Sequence, residues 1–304
     1  MKKIKFLDPS IERKKNLTNK NFQLLKNSRF PLPSEVEISE SGVCNRKCSF
    51  CPRSAPDFKE VKEFISSSLH SKLINELRNE DFGGVIRYSG FVEPLLDKNI
   101  YNLIFEARKK LSRSRIEIVT NGDVLNKSRL KKLFKSGLST LLISVYDGPE
   151  DAKKFEKMCI ESNLTSSQYV IRHRYYSADK DFGLTISNRA GMMENAEYKI
   201  SSLIEPLKDK CFYPSYTFFM DYNGDVLMCP HDWGKKIILG NLNNLSFREI
   251  WLSKRSIKIR NQLNQAKRNF SPCNVCDVNG ELIGKKHAVA WRYCWMYFYN
   301  NILF

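Results

Sequence analysis

The stretch Cys44-Asn-Arg-Lys-Cys48-Ser-Phe-Cys51, followed at once by Pro52, constrains this chain more than any other. Three cysteines at C-x3-C-x2-C spacing can wrap one metal cluster from a single turn of loop. Three thiolates do not close a four-iron cubane, so one iron would be left without a protein ligand. An open coordination position suits a catalytic centre and is avoided by a structural one. The aromatic Phe50 directly precedes the third cysteine, and the strand-like Val36-Glu-Ile-Ser39 leads into the loop. A zinc knuckle lacking its fourth ligand, or three buried thiols, would be the alternative readings of the same spacing.

Nine cysteines among 304 residues fit metal binding better than disulfides if the chain stays in a reducing compartment. The opening MKKIKFLDPSIERKK holds no apolar run of the secretory kind, and no stretch reaches about 18 uncharged apolar residues. A cytoplasmic protein with no membrane partner is therefore expected. Fifty basic residues against 33 acidic ones leave a net charge of +17, which attracts anionic groups non-specifically. The excess is spread along the chain. Lys254, Arg255 and Lys258 fall on one face of an expected helix, either a solvated face or an anion-binding surface. Nucleic acid is not an expected partner.

Residues 1–30 are basic and weakly periodic and read as an extension. From there to about residue 188, apolar strands and helices alternate. Strands are expected over 36–39, 84–89, 116–120, 140–145 and 169–174, and helices over 61–80, 100–111, 128–136 and 150–161. Such repeats build a parallel sheet covered by helices. Polar and glycine residues gather at the strand ends, which favours an α/β barrel. After residue 188 the repeat dissolves. A hairpin around Asn223-Gly224 and a helix over 247–267 open a smaller unit, so the boundaries are drawn at 1–30, 31–210 and 211–304.

The strand ends carry the candidate ligand-binding groups. Ser89-Gly90-Phe-Val-Glu93 combines a glycine for close approach with a carboxylate for an ammonium. Thr120-Asn121-Gly122 and Ser144-Val-Tyr-Asp147-Gly148 follow at the next two ends. On the fifth strand Arg172 and Arg174 share one face, and a buried arginine there needs an anionic partner. In Ser187-Asn188-Arg189-Ala-Gly191, Arg189 is a candidate substrate contact or base. A second set, Cys211, Cys229, Cys273 and Cys276, can close a metal site completely, with zinc the default for four isolated cysteines.

Together these motifs resemble the radical S-adenosylmethionine (SAM) enzymes that carry a C-terminal twitch or SPASM-like domain. The resemblance implies a partial (β/α)6 TIM-type barrel followed by a smaller α+β iron–sulfur domain. It also implies two 4Fe–4S clusters. Cys44, Cys48 and Cys51 would hold the first, whose open iron chelates SAM, and the four later cysteines would hold an auxiliary one. Phe50, Gly90, Glu93, Asn121, Ser144 and Arg172 become the expected SAM contacts. The single-cluster spacing of the second set is similar to that of the 2-deoxy-scyllo-inosamine dehydrogenases, which oxidise an aminocyclitol alcohol to a ketone. By that likeness the chain would be an oxidoreductase. It would act on a sugar, cyclitol or other polyol, a nucleotide-linked sugar among them, with a flavodoxin- or ferredoxin-type electron donor. Maturation of a peptide side chain, sugar epimerisation and a non-catalytic iron–sulfur module are the other readings.

Overall fold

The computed structural model describes residues 9–56, 58–175, 187–194 and 200–302. A helix, α1 (Pro9–Lys20), comes first. Strands and helices then alternate: β1 (Glu35–Ser39), α2 (Ser67–Asn79), β2 (Val85–Tyr88), α3 (Ile100–Lys110), β3 (Arg115–Thr120), α4 (Lys127–Lys135), β4 (Thr140–Val145), α5 (Pro149–Glu161) and β5 (Tyr169–His173). The remainder forms α6 (Tyr213–Tyr216), β6 (Thr217–Asp221), β7 (Asp225–Leu227), β8 (Ile238–Asn241), α7 (Phe247–Trp251), α8 (Lys254–Asn264) and α9 (Lys285–Ile302).

All eight described strands join one sheet in the order β5-β4-β3-β2-β1-β6-β7-β8. Strands β5 to β6 in that order run parallel, while β7 and β8 turn antiparallel. The expected partial barrel is present, but its sixth parallel strand comes from an unexpected place. β6 is one arm of the Asn223-Gly224 hairpin and lies parallel against β1, with Glu35 opposite Thr217 and Ser39 opposite Asp221. Five strands with four intervening helices supply the rest.

Alternation along β1 sends Val36 and Ile38 to the helix-covered face, into one core with Leu73 and Leu77 of α2, Leu103 and Ile104 of α3, and Phe218 of β6. The other face is charged. Arg87 Nη1 donates to Glu35 at 2.5 Å and Nη2 to Glu117 at 2.9 Å, while Arg115 Nε reaches Glu117 at 2.9 Å. α1 closes onto this network, with Arg13 bonded to Glu117 and Lys14 Nζ 3.1 Å from Glu35. The basic opening is thus an integral cover of the sheet's polar face; its first eight residues lie outside the described ones.

Two helix boundaries differ from expectation. Residues 61–66 precede α2 as an extended strip: Gly42 N donates to Glu63 O at 2.9 Å and Ile65 N to Glu40 O at 2.7 Å. The helix begins only where Ser66 Oγ accepts from Leu69 N at 3.1 Å. The helix expected over 247–267 breaks after Trp251 because Ser253 caps α8. Lys254, Arg255 and Lys258 are exposed on α8, a solvated face. Among the described residues no helix is long and apolar enough to cross a membrane.

Burial opposes ionisation of Glu117, but Arg87 and Arg13 overcome it and hold its carboxyl down at about 2. Its contribution is therefore complete above the ordinary value of 4.5 and disappears as pH falls through about 2. Glu117→Gln should lower stability at neutral pH by about 3 kcal/mol. The deficit should shrink between pH 4.5 and 2, as read by urea unfolding across that range.

Candidate functional site

The loop after β1 carries Cys44, Cys48 and Cys51, all half-buried, and its shape is imposed by the neighbouring strand ends. Glu93 N donates to Val43 O at 2.9 Å. Asn45 Nδ2 reaches Asp123 at 2.7 Å, and Asn121 Nδ2 donates back to Asn45 Oδ1 at 2.8 Å. Arg46 spans two strand ends, with Nε on Asp123 at 2.7 Å and Nη1 on Asp147 at 2.8 Å. Just past Cys51, Arg53 is buried and clamps the loop from below, through Nε to Phe91 O at 3.0 Å and Nη2 to Gly42 O at 2.7 Å. Burial pushes the three thiols up, Cys48 to about 11, so their conversion to thiolate ligands calls for a metal centre's positive charge.

The predicted SAM residues assemble beside this loop. Gly90 sits at φ +111°, where an added Cβ would meet Phe219 at 3.0 Å and Ser39 at 3.1 Å. Glu93 is buried, and its carboxylate accepts from Thr120 Oγ1 at 2.6 Å, Leu95 N at 3.1 Å and Asn121 N at 2.7 Å. It joins the β2 and β3 ends and retains lone-pair capacity for a further donor. Burial raises its carboxyl, with these donors acting against the rise. Ser144 accepts from Arg172 Nη1 at 3.3 Å, which puts Arg172 on the sheet's polar face. The Phe50 ring lies 5.3 Å from the Tyr146 ring, and the Arg46 guanidinium lies 5.5 Å from the Tyr146 ring.

Cys211, Cys229, Cys273 and Cys276 are buried together around a small cavity of about 20 Å³, whose walls also include Ala190, Tyr213, His231 and Arg268. Cys211 precedes α6, Cys229 follows β7, and the last two lie on a turn after α8. Among the described residues no three His, Cys, Asp or Glu groups draw together as a single ion requires. Thiols not drawn together for one ion suit a polyatomic cluster better than a zinc held at about 2.3 Å from each sulfur. His231 N donates to Cys229 Sγ at 3.4 Å, the kind of bond that tunes cluster sulfurs. Burial raises all four thiols, Cys211 to about 11. Gly280 is obligatory here, because an added Cβ would fall on the Cys211 sulfur.

Arg189 is within electrostatic reach of both cysteine regions, and Ala190 beside it lines the four-cysteine cavity. Its charge counters the burial-driven rise of Cys51 and reinforces burial in lowering His231. Arg189 and Ala190 are successive non-glycine residues at φ +46° and +54°. Asp232 holds its own loop, accepting from Lys236 N at 3.0 Å and Ile237 N at 2.8 Å. Sequence reasoning overlooked Arg46, Arg53, Asp123 and Tyr146, and noted Asp147 only as turn chemistry. The available signal was an aspartate just past two successive strand ends and two arginines, one inside the cysteine run and one just after it.

The radical SAM superfamily model matches residues 38–171, and the SPASM model, an iron–sulfur cluster-binding domain, matches residues 211–277. The S-adenosyl-L-methionine-dependent 2-deoxy-scyllo-inosamine dehydrogenase of Niallia circulans is 28% identical over 245 residues, 80% of this chain and 92% of that protein. The crystal structure of BtrN in complex with AdoMet and 2-DOIA has a TM-score of 0.70 at 26% identity, covering 84% of this chain and 98% of that one. The Fe-coproporphyrin III synthase of Methanosarcina barkeri is 35% identical over a shorter stretch of 116 residues, 38% of this chain and 28% of that protein. The radical SAM match implies a 4Fe–4S cluster with SAM, and the SPASM match implies auxiliary iron–sulfur.

Arg53→Ala would leave the Gly42 and Phe91 carbonyls without their donor, at about 1–3 kcal/mol each. The expected outcome is a lower melting temperature together with reduced iron loading when the four-cysteine set is already replaced by alanine. Normal loading would show that the clamp does not shape the loop.

Proposed function

We propose that this chain, a radical SAM enzyme with a C-terminal SPASM domain, dehydrogenates an alcohol carbon of a small cyclitol or sugar. The observation that carries the reading is the buried four-cysteine cavity, walled in part by Ala190 next to Arg189, in a chain that also carries the C-x3-C-x2-C loop. Alcohol oxidation removes two electrons, and a second centre gives the second electron somewhere to go. When bound, SAM and the first cluster supply hydrogen-atom abstraction from carbon, and the auxiliary cluster supplies an electron acceptor.

The chain's own residues bind and orient. Cys44, Cys48 and Cys51 are read as ligands of the first centre, and Cys211, Cys229, Cys273 and Cys276 as ligands of one auxiliary centre. Glu93 and Asn121 offer acceptors for the SAM amino group and ribose, Gly90 clears the surface, and Ser144 with Arg172 faces its carboxylate end. Phe50 and Tyr146 form an aromatic wall. Arg189 touches the substrate hydroxyl. Its guanidinium donates hydrogen bonds and has no acceptor, so it orients that oxygen while the hydroxyl proton passes to solvent. Residues 211–304 serve as the auxiliary-cluster unit, and a net charge of +17 suits an acidic flavodoxin- or ferredoxin-type donor.

Anaerobic protein supplied with SAM, a reductant and 2-deoxy-scyllo-inosamine within a pool of sugars, nucleotide-linked sugars and peptides tests this by mass spectrometry. A cyclitol or sugar product lighter by two hydrogens is expected. A mass-neutral product would mean epimerisation, and change confined to peptides would mean maturation. Alanine at Cys44, Cys48 or Cys51 should abolish 5′-deoxyadenosine formation. Iron and sulfide assays should return two cubanes per chain; one cubane with one zinc would contradict the auxiliary-cluster assignment.

A further inference from the structure

We propose that Asn188 and Asp277 form a lock through which the four-cysteine centre positions Arg189, so that substrate engagement depends on that centre being formed. Asn188 is fully buried, and its polar groups are spent on two segments at once. Its N–H donates to both Asp277 carboxylate oxygens at 3.0 Å. Its Nδ2 donates to Val275 O at 2.6 Å and Ser201 O at 3.1 Å. Its Oδ1 accepts from Asp277 N at 3.4 Å and Gly191 N at 3.3 Å. Val275 and Asp277 flank Cys276, so one asparagine fastens the Arg189 loop to the C-x2-C turn.

That loop needs fastening. Two successive left-handed residues without glycine are held only where surrounding structure over-determines them. The backbone carbonyl of Asn188 accepts from Gly191 N and Met193 N, both at 2.9 Å, which closes the turn carrying Arg189. Gly191 packs so closely that an added Cβ would meet Val275 Cγ2 at 2.7 Å, and Ala190 lines the four-cysteine cavity itself. Among the described residues, Arg189 Nε is buried without a hydrogen-bond partner. No hydrogen bond of Nε fixes its direction, so the loop backbone is what positions the base of the side chain. Asn188 and Asp277 are positioning residues, and the proposal rests on Arg189 being the group that touches substrate.

The test uses reconstituted full-length protein. Asn188→Ala should retain both clusters by iron content, yet amide exchange at Gly191 and Met193 should accelerate about tenfold. The Cys273→Ala/Cys276→Ala protein should show the same acceleration. With 2-deoxy-scyllo-inosamine, Asn188→Ala should raise KM about tenfold while SAM cleavage without substrate stays within about twofold. Asp277→Asn keeps an acceptor for the Asn188 amide and should fall between. Asn188→Ala combined with Arg189→Ala should be no worse than Arg189→Ala alone. Unchanged exchange, additive losses, or loss of the auxiliary iron in Asn188→Ala would overturn the lock. If exchange responds but no cyclitol is turned over, the lock stands and the substrate reading fails.

Discussion

The parallel pairing of β1 with both β2 and β6 is the constraint on which the rest depends. β1 ends in the C-x3-C-x2-C loop, while β6 is bracketed by Cys211 before it and Cys229 after the hairpin. Neighbouring strands lie only about 4.8 Å apart, and their backbone hydrogen bonds permit no independent drift. The first cysteine set and the Cys211 and Cys229 half of the second are therefore tied to one sheet. The register sets Ser39 against Asp221, which aligns the end of one strand with the start of the turn that leads to Cys229.

The charge distribution follows from the same geometry. The sheet's polar face buries Glu35, Glu117 and Arg87, an arrangement whose desolvation cost is large and is offset only by dense pairing. Toward the strand ends the balance turns cationic, with Arg46, Arg53, Arg172 and Arg189 around the cysteine loop. Iron–sulfur clusters held by thiolates carry negative charge, as does the carboxylate of SAM. A cationic rim compensates both, while the carboxylates of Asp123 and Asp147 keep Arg46 oriented toward the loop and away from any ligand.

Much of this was legible in the sequence because its signals are local. The cysteine spacings, the strand-end Asn-Gly and Asp-Gly pairs, and the apolar periodicity each lie within a dozen residues. The strand at 140–145 matched its expectation, and the neighbouring elements moved by a residue or two. What stayed hidden depends on partners far away in the chain. Alternation along Thr217–Asp221 reads the same for an antiparallel hairpin arm and for a strand laid parallel against β1, some 180 residues earlier. Arg53 looks like any loop arginine until Phe91 and Gly42 are brought to it. The helix starts at Ser67 and Lys254 were written in the caps Ser66 and Ser253, but adjoining apolar residues outweighed them.

The central claim is that a hydrogen atom leaves an alcohol carbon of the substrate and travels to the SAM-derived adenosyl group. Deuterium placed on the carbinol carbon of 2-deoxy-scyllo-inosamine measures this directly. The account predicts that 5′-deoxyadenosine gains one deuterium for each ketone formed. Ketone formed while the label is released to solvent and 5′-deoxyadenosine stays unlabelled would contradict the account.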